Sequence, residues 1–470
     1  MNLLFYLLVF LLVLIVSSTT NKLLPFLPMP LIQILLGIGI GLCLPNNQYH
    51  LDTELFLALV IGPLLFREAQ ESDITSILKH WRIVLYLIFP VIFISALSMG
   101  GLAHVLWASL PLTACVAVGA ALGPTDLVAF ASLSQRFSFP KRVSNILKGE
   151  GLLNDASGLV AFRMALIAWT TGTFSLTQAG TSLAISIVGG FAVGFITALI
   201  NRFLHTFLLS VRATDIASEL LLELSLPLLT FFIAEEIHVS GIIAVVVAGI
   251  LKASRFKKIN LLEAQVDTVT ETVWQTVTFM LNGSVFVILG MELEMIAEPI
   301  LKSAFYNKVL LLLSVFLLTF LLFAIRFVMI YGFYAFRIKK LHKSLDKYVK
   351  DMLLLTFSGV KGTVSIATIL LIPSNLEQEH PLLLFLVAGV TLVSFLTGLL
   401  VLPHLSEEKE PSKDQLMHIA ILNDVAMELE KDLENTKNKV PLYAAIDNYH
   451  GRIENLILSQ ENKEIQEYWE

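Results

Sequence analysis

Residues 110–134 read LPLTACVAVGAALGPTDLVAFASLS, an apolar stretch with Gly123-Pro-Thr-Asp126 near its centre. The stretch exceeds the roughly 20 residues that a helix needs to cross about 30 Å of hydrocarbon. Proline removes a backbone donor and clashes with the preceding turn, and a broken helix is tolerated at membrane depth where it lines a cavity. An ordinary proline kink is the alternative, but Asp126 two residues later favours a membrane helix interrupted at a site.

The whole chain has the same apolar character. Of its 470 residues 56% are hydrophobic and 15% are charged, its mean hydropathy is +0.77, and soluble domains are about 25% charged. A cytosolic enzyme, a secreted module and a nucleic-acid binder are therefore excluded in favour of an all-α polytopic membrane protein. Thirteen transmembrane helices are predicted, at about 2–18, 27–45, 53–70, 82–106, 110–134, 143–170, 180–201, 216–235, 239–254, 271–291, 305–336, 350–372 and 382–403.

The basic residues of the connections predict the orientation. Connections after odd-numbered spans hold 20 Lys and Arg, whereas those after even-numbered spans hold only Lys302 and Lys308. The positive-inside rule then places the N-terminus outside and the C-terminus in the cytoplasm. One miscounted span would destroy this asymmetry, so it supports the number thirteen.

Two domains are predicted, a transmembrane domain over 1–405 and a short cytoplasmic helical tail over 406–470. From Glu407 onward the chain holds 15 acidic and 7 basic residues, with apolar residues at near-helical spacing. A regulatory segment, a passive extension and a dimer contact all remain open for this tail.

Nucleotide binding is not expected. No GxxxxGK[ST] loop occurs, and the glycines of Gly37-Ile-Gly-Ile-Gly41 lie within an apolar span, where close helix packing is the better explanation.

Ionisable residues deep in the spans are costly and are therefore functional candidates. Some of them are expected to form structural ion pairs. The inventory is Asp126, Glu150, Asp155, Arg163, Arg326 and Lys361, with Glu68 near a span end.

The sixth span carries Glu150-Gly-Leu-Leu-Asn-Asp155. At 100° per residue Asn154 lies about 40° from Glu150 around a helix, whereas Asp155 lies about 140° away. We therefore expect Asp155 to face an ion cavity and Glu150 to turn toward a fixed cation, for which Arg326 is the natural candidate.

The twelfth span carries a second glycine-interrupted polar stretch, Ser358-Gly-Val-Lys-Gly-Thr-Val-Ser365. Interrupted helices in corresponding positions of two halves indicate an inverted-repeat transporter site. The fifth and twelfth spans fit this arrangement if the first six and last six spans form the halves.

Together these motifs resemble the NhaP-type monovalent cation:proton antiporters, relatives of the animal sodium/proton exchangers. The resemblance covers about residues 10–403 and is specific only in combination. Its motifs are Pro63-Leu-Leu-Phe66, Gly123-Pro-Thr-Asp126, Glu150-Gly-Leu-Leu-Asn-Asp155, Ser240-Gly-Ile-Ile-Ala-Val-Val-Val-Ala-Gly249, Phe279-Met-Leu-Asn-Gly-Ser-Val-Phe286 and Gly359-Val-Lys-Gly-Thr-Val-Ser365.

The resemblance implies an inverted-repeat antiporter fold with a dimerisation domain and a six-helix core in which two unwound helices cross. It implies that Arg326 neutralises Glu150 and that an asparagine before the key aspartate marks electroneutral exchange. The implied ligands of Na⁺ are Asp155, Asp126 and the Thr125 backbone carbonyl, with Asn154 beside them.

Three positions depart from the family pattern. Gly151 stands where a serine hydroxyl often contacts the ion, and Lys361 stands where arginine is usual. Lysine loses its proton more readily than arginine, so Lys361 is only a possible charge partner. Glu68 follows Arg67 and is one place away from the common acidic position, which leaves its role as a charge partner open.

The predicted function is exchange of Na⁺ (or Li⁺) for H⁺, electroneutral at 1:1, by alternating access around Asp155. No enzymatic activity, cofactor, nucleotide or nucleic acid is expected. The expected surroundings are the lipid of the plasma membrane and a second copy in a homodimer. A K⁺/H⁺ antiporter of the same fold, a cation channel and a non-transporting sensor governed by the tail remain alternatives.

Overall fold

In the computed structural model, the regular secondary structure of the described residues is helical, and none of these residues forms a strand. The described residues are 2–24, 27, 29–43, 53–72, 74–126, 129–130, 139–172, 176–211, 215–253, 261–302, 306–341, 348–372, 380–406 and short pieces between 422 and 451. Their helices are α1 (Asn2–Leu23), α2 (Met29–Cys43), α3 (53–71), α4 (Ile74–Leu78), α5 (Trp81–Leu106), α6 (Leu112–Ala121), α7 (Lys141–Gly151), α8 (Asn154–Thr171), α9 (Leu176–Ser210), α10 (Ile216–Glu236), α11 (Gly241–Ala253), α12 (Leu261–Lys302), α13 (Lys308–Leu341), α14 (Val349–Phe357), α15 (Thr363–Leu370) and α16 (His380–Leu405).

Long apolar helices make this a multi-pass membrane protein. Within the described residues, six helices are long and apolar enough to cross a bilayer, and shorter apolar helices accompany them. The number thirteen stays a prediction, although each predicted span overlaps at least one helix. The six are Trp81–Leu106, Gly180–Leu208, Ile216–Glu236, Val269–Ile296, Lys308–Arg337 and Pro381–Leu405.

Prolines distort two of the helices. Residues Leu57–Ile61 of α3 and Leu87–Val91 of α5 form π-helical turns. Pro90 lies inside the second turn and Pro63 follows the first. A proline cannot donate the usual backbone hydrogen bond and crowds the carbonyl one turn earlier, and a wider turn relieves both problems.

The two predicted interruptions are present. Helix α6 ends at Ala121, and the chain runs without helix through Gly123-Pro-Thr-Asp126 before Ala129. Between α14 and α15, residues 358–362 are likewise non-helical. The prediction of two unwound helices is therefore confirmed.

A third interruption was not predicted, because the sequence suggested an unbroken helix over 143–170. Helix α7 ends at Gly151 and α8 begins at Asn154. Between them Leu152 donates to the carbonyls of Lys148 and Glu150. The expectation that 100° per residue relates Glu150 to Asn154 is therefore wrong, since no continuous helix joins them.

Glycines bring α2 and α12 into close contact. A Cβ atom on Gly37 would lie 2.2 Å from the Val287 carbonyl oxygen, and one on Gly290 would lie 2.2 Å from the Ile34 carbonyl oxygen. Gly37 therefore packs as predicted, whereas nothing lies within 4 Å of a Cβ built on Gly39.

The chain divides into two compact units, of which the first is Met1–Ser134 with Phe139–Leu405 and the second includes Ser406–Glu470. In the predicted tail over 406–470, residues 422–425 and 427–431 are helical. Most of the tail lies outside the described residues, so its helical, cytoplasmic character stays a prediction.

Candidate functional site

The two unwound stretches contact each other within the first unit. The Asp126 backbone N–H donates to the Val360 carbonyl oxygen over 3.0 Å. Each broken helix leaves backbone donors or acceptors without partners inside the helix, so the crossing places polar backbone within an otherwise apolar bundle.

Lys361 satisfies the carbonyls that follow α6. Its Nζ donates to the carbonyl oxygens of Gly123 and Pro124, at 2.8 and 2.6 Å, and the residue is only 1% exposed. The C-terminal end of a helix carries partial negative charge, so an ammonium is favourable there. The side chain predicted as a charge partner thus binds the backbone of the broken helix.

Asp126 occupies the matching position at α15. Its Oδ1 accepts from the Ala129 N–H over 3.0 Å. Its Oδ2 lies so close to Gly362, which precedes α15, that a Cβ there would be 1.4 Å away. The N-terminal end of a helix carries partial positive charge, which favours this carboxylate.

Glu150 and Arg326 form a buried, two-pronged ion pair. Nη1 and Nη2 of Arg326 donate to the two Glu150 oxygens, at 2.6 and 2.8 Å. Arg326 Nε also donates to the Leu355 carbonyl oxygen at 2.9 Å. These bonds connect α7, α13 and α14, and the side chains of the pair are 4% and 2% exposed.

Thr125 connects this ion pair to Asn154. Its hydroxyl donates to Glu150 Oε1 over 3.1 Å and accepts from Asn154 Nδ2 over 2.7 Å. Asn154 Nδ2 also lies 2.9 Å from the Thr125 carbonyl oxygen. Asn154 and Glu150 therefore converge on Thr125, even though the helix between them is broken.

Asp155 is the carboxylate with spare capacity. It is 6% exposed, and it interacts electrostatically with Asp126 and Lys361. Among the described residues, neither its Oδ1 nor the Oδ1 of Asn154 has a hydrogen-bond partner. Buried polar atoms almost always have partners, and carboxylate and amide oxygens are ligands that hard cations prefer.

Glu68 is placed elsewhere. It interacts electrostatically with Lys148, Glu71 and Arg67, near the end of α3 that is predicted to be cytoplasmic. Arg67 forms its own network there, with Glu271 among its partners. The structure does not bring Glu68 into the crossing. Gly151, another position that departs from the family pattern, is the last residue of α7.

Three other charged residues differ from the sequence analysis. Arg163, predicted to be deep in a span, is exposed on α8 and interacts electrostatically with Glu235. Glu292 and Glu294 were missed because the predicted span ended at 291, yet α12 continues and they are 6% and 8% exposed. Apolar residues on both sides of Met291-Glu-Leu-Glu were the available signal.

The described residues contain no group of three or more His, Cys, Asp and Glu side chains that could hold a metal ion. The crossing instead offers two carboxylates, one amide and backbone carbonyls. Oxygen ligands of this kind are the ones that hard cations take.

The sequence and fold were compared with known proteins. A model of the family described as "Sodium/hydrogen exchanger, transmembrane" matches residues 7–407. Two relatives, from Bacillus pumilus and Bacillus subtilis, are each named a sodium, potassium, lithium and rubidium/H⁺ antiporter and are each 33% identical. The alignments cover 90% of this chain and 62% of the first relative, and 98% of this chain and 70% of the second.

A solved structure has the same fold. The sodium proton antiporter MjNhaP1 from Methanocaldococcus jannaschii superposes with a TM-score of 0.63 at 16% identity, covering 86% of this chain and 98% of that one. The predicted antiporter fold is therefore confirmed, and the matching proteins are transporters rather than enzymes. With a family match over most of its length, this chain belongs to the sodium/hydrogen exchanger family.

Proposed function

We propose that this protein is a secondary active antiporter that exchanges Na⁺ or Li⁺ for H⁺. The observation that carries the proposal is the buried Asp155 carboxylate, whose Oδ1 and the neighbouring Asn154 Oδ1 lack hydrogen-bond partners among the described residues. These oxygens lie beside a crossing of two broken helices, the arrangement in which backbone carbonyls become available to a cation.

The proposed mechanism is competition for one site. An isolated charge is costly inside a membrane, so the Asp155 carboxylate exchanges a proton for a cation instead of remaining bare. Asp126 and the Thr125 carbonyl complete the ligand set. Because one proton leaves for each monovalent cation that binds, the exchange is electroneutral at 1:1, and alternating access needs no cofactor or nucleotide.

The proposed roles of the remaining charges follow from their contacts. Glu150 and Arg326 neutralise one another and hold Thr125 and Asn154 in place. Lys361 neutralises the partial negative charge of the two carbonyls that follow α6. In this proposal, Glu150, Arg326 and Lys361 do not bind the transported ion.

The proposed setting is the plasma membrane, with the N-terminus outside, the tail in the cytoplasm and two copies in a homodimer. Exchange there would serve pH homeostasis and salt tolerance. A K⁺/H⁺ antiporter is the second candidate, because the two Bacillus relatives are named for potassium as well as sodium.

The test is cation-driven proton flux in liposomes that contain the purified full-length chain and a trapped pH dye. We expect wild type to respond to Na⁺ and Li⁺ without moving net charge. Asp155→Asn and Asp155→Ala should both be inactive, because neither side chain exchanges a proton. Asp215→Asn, which changes an exposed aspartate outside the site, is the matched control and should retain full exchange.

Four outcomes would contradict the proposal. Exchange retained in both Asp155 variants would exclude Asp155 as the carrier. A response to K⁺ alone would favour the second candidate, and flux at channel rates would favour a pore. No flux from the full-length chain would favour a sensor.

A further inference from the structure

Gly362 is not required by its backbone conformation. Its φ and ψ are −144° and −158°, an extended conformation that any residue adopts. The space around it gives a different reason for glycine. A Cβ atom there would lie 1.4 Å from Asp126 Oδ2, 2.3 Å from Cγ and 2.8 Å from Cβ, so the Asp126 carboxylate occupies the position of the missing side chain.

Other glycines provide a scale for this contact. A Cβ on Gly359 would lie 2.3 Å from Arg326 Nε, so that glycine accommodates the structural ion pair. A Cβ on Gly332 in α13 would have nothing within 4 Å. Of these three, only Gly362 is in direct contact with a proposed ligand of the ion.

We propose that Gly362 is a specificity-determining residue, which lets the Asp126 carboxylate lie against the start of α15 and so keeps open the volume beside Asp155 that the transported cation occupies. This inference rests on the proposed function, in which both aspartates bind the ion. Two features hold the Asp126 carboxylate at this position. The helix N-terminus favours the carboxylate, and the missing side chain allows it to lie directly against the backbone.

A methyl group at this position has a defined consequence. The methyl group and the Asp126 carboxylate cannot occupy the same space, so Asp126 has to move away from Gly362. The displaced carboxylate and the added methyl then take up volume that the site otherwise offers to the ion. Larger cations lose more binding affinity than smaller ones, because they need more of that volume.

The experiment measures exchange of Li⁺, Na⁺, K⁺ and Rb⁺ by the full-length Gly362→Ala protein in liposomes, each over a range of pH. We expect the apparent KM for every cation that wild type transports to rise, by about tenfold for the largest of them and by much less for Li⁺. The corresponding change in binding free energy is about 1.4 kcal/mol. Gly332→Ala is the matched control and should behave as wild type. Equal changes for all cations, or none, would overturn the proposal.

Two double variants keep the test decisive if Gly362→Ala folds poorly. Asparagine at position 126 has the same shape as aspartate, whereas alanine there removes the side-chain group that lies against Gly362. Folded yield should therefore stay low in Gly362→Ala with Asp126→Asn and recover in Gly362→Ala with Asp126→Ala. Equal yields in these two variants would overturn the steric basis of the proposal.

The single variant Asp126→Ala separates this inference from the proposed function. Unchanged KM values in Asp126→Ala would remove Asp126 from the ion site and so contradict the proposed function. If Asp126→Ala weakens exchange but Gly362→Ala leaves the cation preference unchanged, only the inference about Gly362 fails.

Discussion

Two charged networks in this protein differ in how far water reaches them. In the crossing, the side chains of Arg326 and Glu150 are 4% and 2% exposed. At the end of α3, Arg67 is 11% exposed but its partner Glu271 is 51% exposed. Both pairs have a contact of 2.6 Å, so the difference between them is one of surroundings and not of distance.

Exposure decides how replaceable each partner is. Glu150 is the carboxylate that Arg326 contacts, and its oxygens also hold Thr125. Arg67 has several partners and retains most of them if one is lost. They are Glu71 at 2.5 Å, Gln70 at 3.0 Å, Glu271 at 2.6 Å and the Trp274 ring at 5.9 Å. Water also solvates the exposed carboxylates of Glu71 and Glu271, which reduces what the Arg67–Glu271 pair contributes to stability.

The largest effect is expected from breaking the buried pair. Glu150→Gln or Arg326→Gln leaves one charge buried without its partner, which costs about 3–5 kcal/mol. Folded yield and the Tm of the purified full-length protein in detergent should both fall sharply. The charge-swapped double variant Glu150→Arg with Arg326→Glu should recover part of the loss, since the Coulomb attraction returns while the bond geometry does not.

Single replacements that leave yield and Tm unchanged would remove the basis of this comparison. A double variant no better than the worse single variant would indicate that Leu355 and Thr125, which bind these side chains, matter more than the opposite charges.

A much smaller effect is expected in the exposed network around Arg67. Glu271→Gln should cost about 1 kcal/mol or less, because exposed ion pairs contribute little and Glu71 still binds Arg67. The difference in Tm from wild type should shrink further when salt is raised, since salt screens exposed charges. Arg67→Met should cost more, because it removes both carboxylate contacts and the contact with Trp274. A Glu271→Gln variant as unstable as Glu150→Gln would contradict the role given to exposure.

The sequence was most informative about the buried network. A charge is costly inside a membrane, so few occur there, and this scarcity selects Asp126, Glu150, Asp155, Arg326 and Lys361. The same criterion also selects Arg163, which is exposed. The proline and glycine motifs predicted the two broken helices for an equally local reason, since proline cannot continue a helix without losing a hydrogen bond.

The sequence was less informative wherever a feature depends on contacts between distant elements. Lys361 binds carbonyls more than 200 residues away, and Gly362 matters because of Asp126. No local pattern encodes either contact. Glu292 was missed for a different reason, because averaged hydropathy ends a span at the first charges and cannot detect that the helix continues with its carboxylate buried.

The smallest effect is expected at an exposed residue outside both networks. Asp215 precedes α10, and its Oδ1 accepts from the Ser218 backbone N–H over 2.8 Å. The hydrogen bonds from Ser218 lower the pKa of Asp215 from its ordinary value. The ionised form is therefore the one that stabilises the helix end, as expected for an aspartate in this capping position.

The pH dependence follows from that direction. Because the folded-state pKa is below the unfolded one, the contribution is complete above the ordinary pKa of aspartate and is lost as the pH falls through the folded-state value. Asp215→Ala should therefore lower Tm slightly at about pH 7 and lose this difference toward about pH 3. Asp215→Asn retains a capping oxygen without a charge, so its Tm difference from wild type should vary with pH while its helix end stays capped. A Tm deficit for Asp215→Ala that is the same at every pH would contradict a role for the charge. A deficit as large as that of Glu150→Gln would contradict the ranking by exposure.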